Sequence, residues 1–205
     1  ARVPNPLEYG VLIVDEETRV TQFLEKPSWG EVFSDTVNTG IYVLDPEVFK
    51  YIPKGKITDW SKDVFPQMLR KNDALHGYVT DGYWTDVGTI EEYMRANRDY
   101  MLGRVNLPRV GHSEGNDLWL EGDAEIAPDA QFIGPVFLGH GVKIKSGVIV
   151  HGPTAIRDYA VIDSRATIDR SIIWRNSYIG ERAELRGAIV MRQCNIKSRA
   201  VLFEG

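Results

Sequence analysis

Residues 141–168 read G-V-K-I-K-S-G-V-I-V-H-G-P-T-A-I-R-D-Y-A-V-I-D-S-R-A-T-I. Within this stretch Ile144, Val150, Ile156, Ile162 and Ile168 fall every six residues. A smaller partner stands two residues before each: Val142, Val148, Thr154, Ala160 and Ala166. The beat reaches back through Leu138 and Phe132 to Ile126. It resumes after one dropped residue at Ile173, Ile179 and Leu185, and after a second at Val190, Ile196 and Leu202. A period of six is neither the 3.6 of a helix nor the 2 of a strand. Kept for so long, it predicts a parallel β-helix of hexapeptide turns, each giving one short strand with a branched and a smaller residue turned inward. The beats make roughly four to five three-sided coils. Residues 123–205 are therefore read as scaffold, and the search for chemistry moves to the first hundred residues.

The composition narrows what that chemistry can be. The chain has 205 residues, a formal net charge of −5 and one cysteine. That length allows one or two domains with a sizeable core. An acidic balance without a basic cluster gives no nucleic-acid footprint. No apolar run approaches membrane-spanning length and no signal peptide is visible, so a cytoplasmic location without membrane association is expected. Cys194 cannot form an internal disulfide; it occupies the small inward slot of a hexad and reads as a packing residue.

Residues 1–103 read as mixed α/β. Residues 9–14 and 20–24 form a strand pair around a turn at 15–18. Residues 39–44, rich in β-branched and aromatic side chains, predict a third strand, and residues 75–79 a fourth. Asp45 and Pro46 have the order of a cap and first helical residue, opening a short helix that ends before Pro53. A second helix is expected over 60–70, with Pro66 inside it. Thr89 and Glu92 make a capping-box pattern that opens a helix ending at Gly103. Residues 104–122 read as a connector. The chain starts without the parallel sheet an α/β core needs, and stops straight after a hexad beat without a cap; both ends suggest part of a longer protein.

Polar residues at strand ends beside Gly or Pro are where α/β folds place ligands. Four such segments occur: Tyr9-Gly10; Glu25-Lys26-Pro27; Asn38-Thr39-Gly40; and residues 83–89, Y-W-T-D-V-G-T. Glu25 can accept from sugar hydroxyls, Lys26 is a point charge suited to phosphate, and Asn38 can both donate and accept. Asp86, just before Gly88, is a reasonable Mg²⁺ ligand. Each also has a plain structural reading: a surface pair for Glu25 and Lys26, a turn residue for Asn38, a cap or turn for Asp86.

Taken in order, E-K-P, N-T-G-I-Y-V-L, V-F-P and G-Y-W-T-D-V-G-T, followed by a helix and hexads, resemble the C-terminal half of the sugar-nucleotidyltransferase domain joined to a left-handed β-helix. The wording of G-I-Y-V-L-D-P-E-V and G-Y-W-T-D-V-G-T is most similar to mannose-1-phosphate guanylyltransferases. The resemblance implies an NDP-sugar-forming enzyme that uses Mg²⁺, an NTP (GTP favoured) and a sugar 1-phosphate (mannose favoured), releasing pyrophosphate. It implies that Gly10 lines the sugar pocket, Glu25 holds sugar hydroxyls and Lys26 the sugar phosphate. It further implies that Asn38 contacts the sugar, Thr39 and Gly40 shape the pocket, and Asp86 is one of two metal aspartates. The family's Gly-rich nucleotide loop and second metal aspartate are not found in this sequence, so the chain alone is expected to be inactive.

Three other readings remain. A glucose-1-phosphate enzyme needs only another sugar in the same site. A non-catalytic regulatory homologue could keep the fold. A hexapeptide acyltransferase could use His140 or His151 on the β-helix, although that would leave E-K-P and Y-W-T-D-V-G-T unexplained. Apolar coil faces also predict a homo-oligomer formed through the hexads.

Overall fold

In the three-sided prism formed by the hexads, every coil lays one short rung on each of three parallel sheets. The structure is a computed structural model that describes residues 1–25, 28, 30 and 34–204. It divides into two compact units, Ala1–Asp86 and Val87–Gly205.

The beat residues stack directly over one another in the second unit. On one face Leu120, Leu138, Ile156, Ile173 and Val190 are successive register partners. Ile126, Ile144, Ile162, Ile179 and Ile196 line the next face. Phe132, Val150, Ile168, Leu185 and Leu202 line the third. The result is a parallel β-solenoid of five coils, consistent with the left-handed β-helix the resemblance implies. Leu138, Ile156, Ile162, Ile168, Ile173 and Ile179 have no exposed surface, and neither do the small partners Ala160, Ala166 and Ala183. Burying such a branched side chain is worth about 1.5–3 kcal/mol, so the prism core is the main stabiliser of this unit.

Both dropped residues fall at the same corner, between Ile168 and Ile173 and between Leu185 and Val190. A shortened corner disturbs the regular peptide ladder, and buried hydroxyls complete it. Thr154 Oγ1 donates to the His151 carbonyl at 2.6 Å and accepts the Ser171 N–H at 3.1 Å. One coil further on, Ser171 Oγ donates to the Asp169 carbonyl at 2.8 Å and accepts the Ala188 N–H at 3.1 Å. The polar side chains in this core are thus partnered, as burial requires.

The connector holds more order than its sequence suggests. Strands β3 (His112–Gly115) and β4 (Leu118–Leu120) form an antiparallel hairpin, and β4 is already the first rung of the prism. Leu120 lies six residues before Ile126, so the beat starts one step earlier than the small-partner rule shows. Its partner position holds the large Leu118, which hides it.

In the first unit, strands β1 (Gly10–Val14) and β2 (Val20–Glu25) pair antiparallel. Residues 39–44 are not a strand. They have no ladder partner among the described residues, and Ile41 is 76% and Val43 102% exposed while Leu44 packs inward. Residues 75–79 contribute a single bridge, Arg19 to His76, rather than a strand. The Asp45-Pro46 start is confirmed, with Asp45 Oδ1 accepting the Glu47 N–H at 2.9 Å, but the six residues Pro46–Tyr51 wind as a 3₁₀ helix. Residues 60–70 split into a π turn, Trp60–Val64, and a short helix α1, Phe65–Arg70, with Pro66 in the first turn, where its missing N–H costs nothing. Helix α2 (Ile90–Met101), in the second unit, is capped by Thr89 Oγ1 accepting the Glu92 N–H at 3.1 Å.

Candidate functional site

The hairpin β1–β2 sets two of the expected site residues opposite each other. Its register pairs Gly10 with Glu25. The chain after residue 34 then adds itself along β1: Leu12 N–H donates to the Thr36 carbonyl at 3.0 Å, and Asn38 N–H donates to the Gly10 carbonyl at 2.7 Å. Main-chain bonding therefore brings Gly10, Glu25 and Asn38 to one end of β1. Gly10 itself is buried here, with its carbonyl taken up by the Asn38 N–H.

Asn38 is held by several bonds. Its Nδ2 donates to the Tyr42 hydroxyl at 2.7 Å and to Ser61 Oγ at 3.4 Å, and its Oδ1 accepts the Gly40 N–H at 3.1 Å. That last bond closes an Asx turn over Thr39, and Gly40 takes the left-handed conformation (φ 73°) that such a turn suits. Tyr42 is fixed in turn by an edge-to-face contact with Phe65 at 5.0 Å and a tilted one with Trp60 at 6.1 Å. The amide is thus oriented by a packed aromatic cluster, and its turn role and a ligand-facing role are compatible.

The segment containing Asp86 reaches the same end of the hairpin through Trp84, whose ring packs edge-to-face on Tyr9 at 5.6 Å. Beside Trp84 lies a hollow of about 330 Å³ lined by Arg2, Thr80, Asp81 and Tyr83. Arg2 is a cation that sequence reasoning did not single out; its only signal is position, since it bridges to Thr36 two residues before Asn38. A separate cavity of about 90 Å³ includes Asn38 and Thr39 but is otherwise mainly apolar, with Leu12, Val14, Val20 and Phe23. That lining suits packing better than a hydroxyl-rich ligand. Lys26 lies outside the described residues, and of Glu25 only the backbone position is described.

Asp86 is exposed. Among the described residues no group of three or more His, Cys, Asp or Glu side chains converges as a metal cage would. Mg²⁺, however, is commonly held by one or two carboxylates with phosphate oxygens and waters completing the octahedron. One exposed aspartate fits that donor set and would not fit an all-protein cage.

Of the β-helix histidines, His140 stands at an exposed corner with its N–H on Asp158 Oδ1 at 3.2 Å. Its ring lies so close over Gly122 that a Cβ there would meet Nδ1 at 2.0 Å. His151 ends a rung, half-buried.

Residues 1–102 match the sequence model of the nucleotidyl transferase family. This part of the chain belongs to that family. Among relatives, a Synechocystis UTP–glucose-1-phosphate uridylyltransferase is 31% identical over 210 residues, covering 98% of this chain and 53% of that protein. A Mycobacterium tuberculosis mannose-1-phosphate guanylyltransferase is 34% identical over 170 residues, covering 82% of this chain and 46% of that protein. A Desulfitobacterium hafniense glucose-1-phosphate adenylyltransferase is 29% identical over 209 residues, covering 92% and 49%. The chain spans about half the length of these relatives. All three names describe sugar-1-phosphate nucleotidyltransferases, with different bases and sugars. No helix among the described residues is long and apolar enough to cross a membrane.

Proposed function

We propose that the protein carrying this chain joins a nucleoside monophosphoryl group to a sugar 1-phosphate, releasing pyrophosphate, and that residues 1–86 hold the sugar-phosphate side of the site. The carrying observation is the meeting of Gly10, Glu25 and Asn38 at one end of β1, made by register and by the Asn38–Gly10 main-chain bond. In this reading a phosphate oxygen of the sugar 1-phosphate attacks the α-phosphorus of the NTP in line, and pyrophosphate leaves. Such a reaction asks mainly for positioning and charge neutralisation. Gly10 lines the pocket beside the sugar, Glu25 accepts from its hydroxyls and the oriented Asn38 amide bonds another. Thr39 and Gly40 shape the pocket wall, and Lys26 neutralises the sugar phosphate. Mg²⁺ held by Asp86 would supply further charge neutralisation at the phosphates.

GTP and mannose 1-phosphate are the favoured pair, supported by the G-Y-W-T-D-V-G-T wording and the 34% identity to a protein of that name. A glucose 1-phosphate enzyme is the second reading, supported by the 31% identity to the uridylyltransferase. A cytoplasmic setting and a homo-oligomer built through the β-helix complete the proposal. The test is pyrophosphate release by the complete protein across every pairing of NTP with mannose 1-phosphate and glucose 1-phosphate. Release only with GTP and mannose 1-phosphate is expected. Release with none of the pairs would reject the function, and a glucose 1-phosphate preference would reject the sugar.

A further inference from the structure

One edge of the prism, joining the two sheets that do not contain β4, repeats an arginine over three coils. The Arg165 N–H donates to the Ser146 carbonyl at 2.9 Å, the Arg182 N–H to the Ser164 carbonyl at 3.0 Å and the Arg199 N–H to the Glu181 carbonyl at 2.8 Å. Arg165, Arg182 and Arg199 therefore stand in one column, with neighbouring members about 4.8 Å apart at the backbone. Gly147 holds the same place in the preceding coil. All four residues are left-handed, with φ of 71° at Gly147 and 60°, 57° and 61° at the three arginines. Glycine takes that conformation freely, whereas the Cβ of an arginine strains it. Turn geometry thus favours glycine at each step and does not account for arginine three times running.

Little in the fold neutralises the column. All three arginines are exposed. Arg182 Nε lies 3.7 Å from Glu181 Oε1, and among the described residues Arg165 and Arg199 have no ion-pair partner. Asp129, at the head of the column, stands two coils from Arg165 and is engaged by the Ser146 hydroxyl at 2.8 Å. Exposed Lys197, two residues before Arg199, adds a further cation in the last coil. The column alongside holds Ser146, Ser164, Glu181 and Ser198, so a hydroxyl neighbours both Arg165 and Arg199. No aromatic residue stands in either column, which leaves nothing for a base to stack on. Carboxylates on one side of an extended peptide recur about every 6.5–7 Å and fall out of step with the guanidinia. A chain of phosphoryl groups carries charge on every unit, and its oxygens suit the bidentate forks of arginine.

We infer that this edge of the β-helix binds an inorganic oligophosphate laid along the prism axis, held by the guanidinia of Arg165, Arg182 and Arg199. The pyrophosphate of the proposed reaction is the shortest such chain, but the site lies within residues 164–199 and does not rest on that reading.

Isothermal titration of the complete protein with inorganic phosphate, pyrophosphate and tripolyphosphate tests it. Affinity should rise with each added unit, and tripolyphosphate should bind roughly tenfold or more tighter than phosphate. The double variant Arg165→Ala, Arg199→Ala should weaken tripolyphosphate roughly tenfold or more. The control Arg70→Ala, Lys143→Ala removes the same charge from two exposed cations outside the column and should leave tripolyphosphate binding unchanged. Equal loss in the two double variants, or no loss in the column variant, would overturn the site. Affinity independent of chain length would overturn the placement along the axis. Thermal melting of each variant separates loss of binding from loss of fold. Arg165→Lys with Arg199→Lys keeps the charge but not the forks, and should bind between wild type and the alanine pair; binding as tight as wild type would overturn recognition by the forks. Pyrophosphate release is a separate readout, so failure of the nucleotidyl-transfer reading leaves the titration intact.

Discussion

Asn38 is bound both as a turn former and, in the proposed reading, as a sugar ligand, and one comparison separates these roles. Asn38→Ala removes the 2.7 Å bond to Tyr42, the longer bond to Ser61 and the Asx-turn bond to Gly40. Taking about 1 kcal/mol for the good bond and a fraction of that for each of the others, the first unit should lose about 1.5–2 kcal/mol. Tyr42→Phe removes only the first bond and keeps the ring packed on Trp60 and Phe65, so it should cost about 1 kcal/mol. The two variants thus differ modestly in stability but sharply in what remains for a ligand, since Tyr42→Phe keeps the amide. Urea denaturation gives the stability of each, and pyrophosphate release by the complete protein gives KM for the sugar 1-phosphate. Asn38→Ala should raise KM roughly tenfold or more, and Tyr42→Phe no more than about threefold. If both raise KM equally, the amide serves only the turn and the ligand role is refuted. If Asn38→Ala costs under about 0.5 kcal/mol, the bonds that orient the amide are themselves in doubt.

Other consequences are open to direct measurement. Asp86→Ala should abolish Mg²⁺-dependent pyrophosphate release by the complete protein, and unchanged turnover would remove Asp86 from the metal site. Ile162→Ala, at a fully buried rung, should destabilise the β-helix by about 2–5 kcal/mol, whereas Ile162→Val should cost about 0.5–1.5 kcal/mol in the same denaturation assay. Gly180→Ala would bring a Cβ to 2.4 Å from the Ser198 nitrogen, so the neighbouring coil must shift, at about 1–3 kcal/mol or more. The Asp163 carboxyl is held down to about 2 by the Tyr178 hydroxyl, then by the Ser164 N–H and Lys145, against the opposing effect of burial. A lowered folded-state value means stability that is present above the ordinary carboxylate range and lost as pH falls. The β-helix should therefore lose on the order of 1–2 kcal/mol between about pH 4 and pH 2, and Asp163→Asn should flatten that dependence.

The period of six carried the solenoid part of the second unit, because each coil buries the same two positions. It missed the first rung where Leu118 replaced a small partner, a case in which packing at the end of the prism tolerates a larger side chain. In the first unit, local signals were legible and nonlocal ones were not. Asp45, Thr89 and Pro46 act on their immediate neighbours, and their caps are present. Ile41 and Val43 specify extended backbone, but a ladder also needs a neighbouring strand, which no local pattern supplies. The grouping of Gly10 with Glu25 follows from the hairpin register, which the turn at 15–18 makes legible. The bond from Asn38 to Gly10 spans 28 residues of chain, and nothing in the spacing announces it. Arg2 escaped for the same reason.

The dropped residues in the prism tell how such a chain can change length. Both were lost at the single corner where Thr154 and Ser171 hydroxyls take up the peptide N–H of the coil that follows. A one-residue loss within a rung would turn its inward side chains outward, and every later rung would lose register with the one above it. Two kinds of length variation are therefore compatible with this architecture: a whole circuit of three rungs gained or lost together, or a single residue at a hydroxyl-supported bend. Descendants of this sequence should differ from it in multiples of a circuit, with stray single-residue differences confined to that one edge.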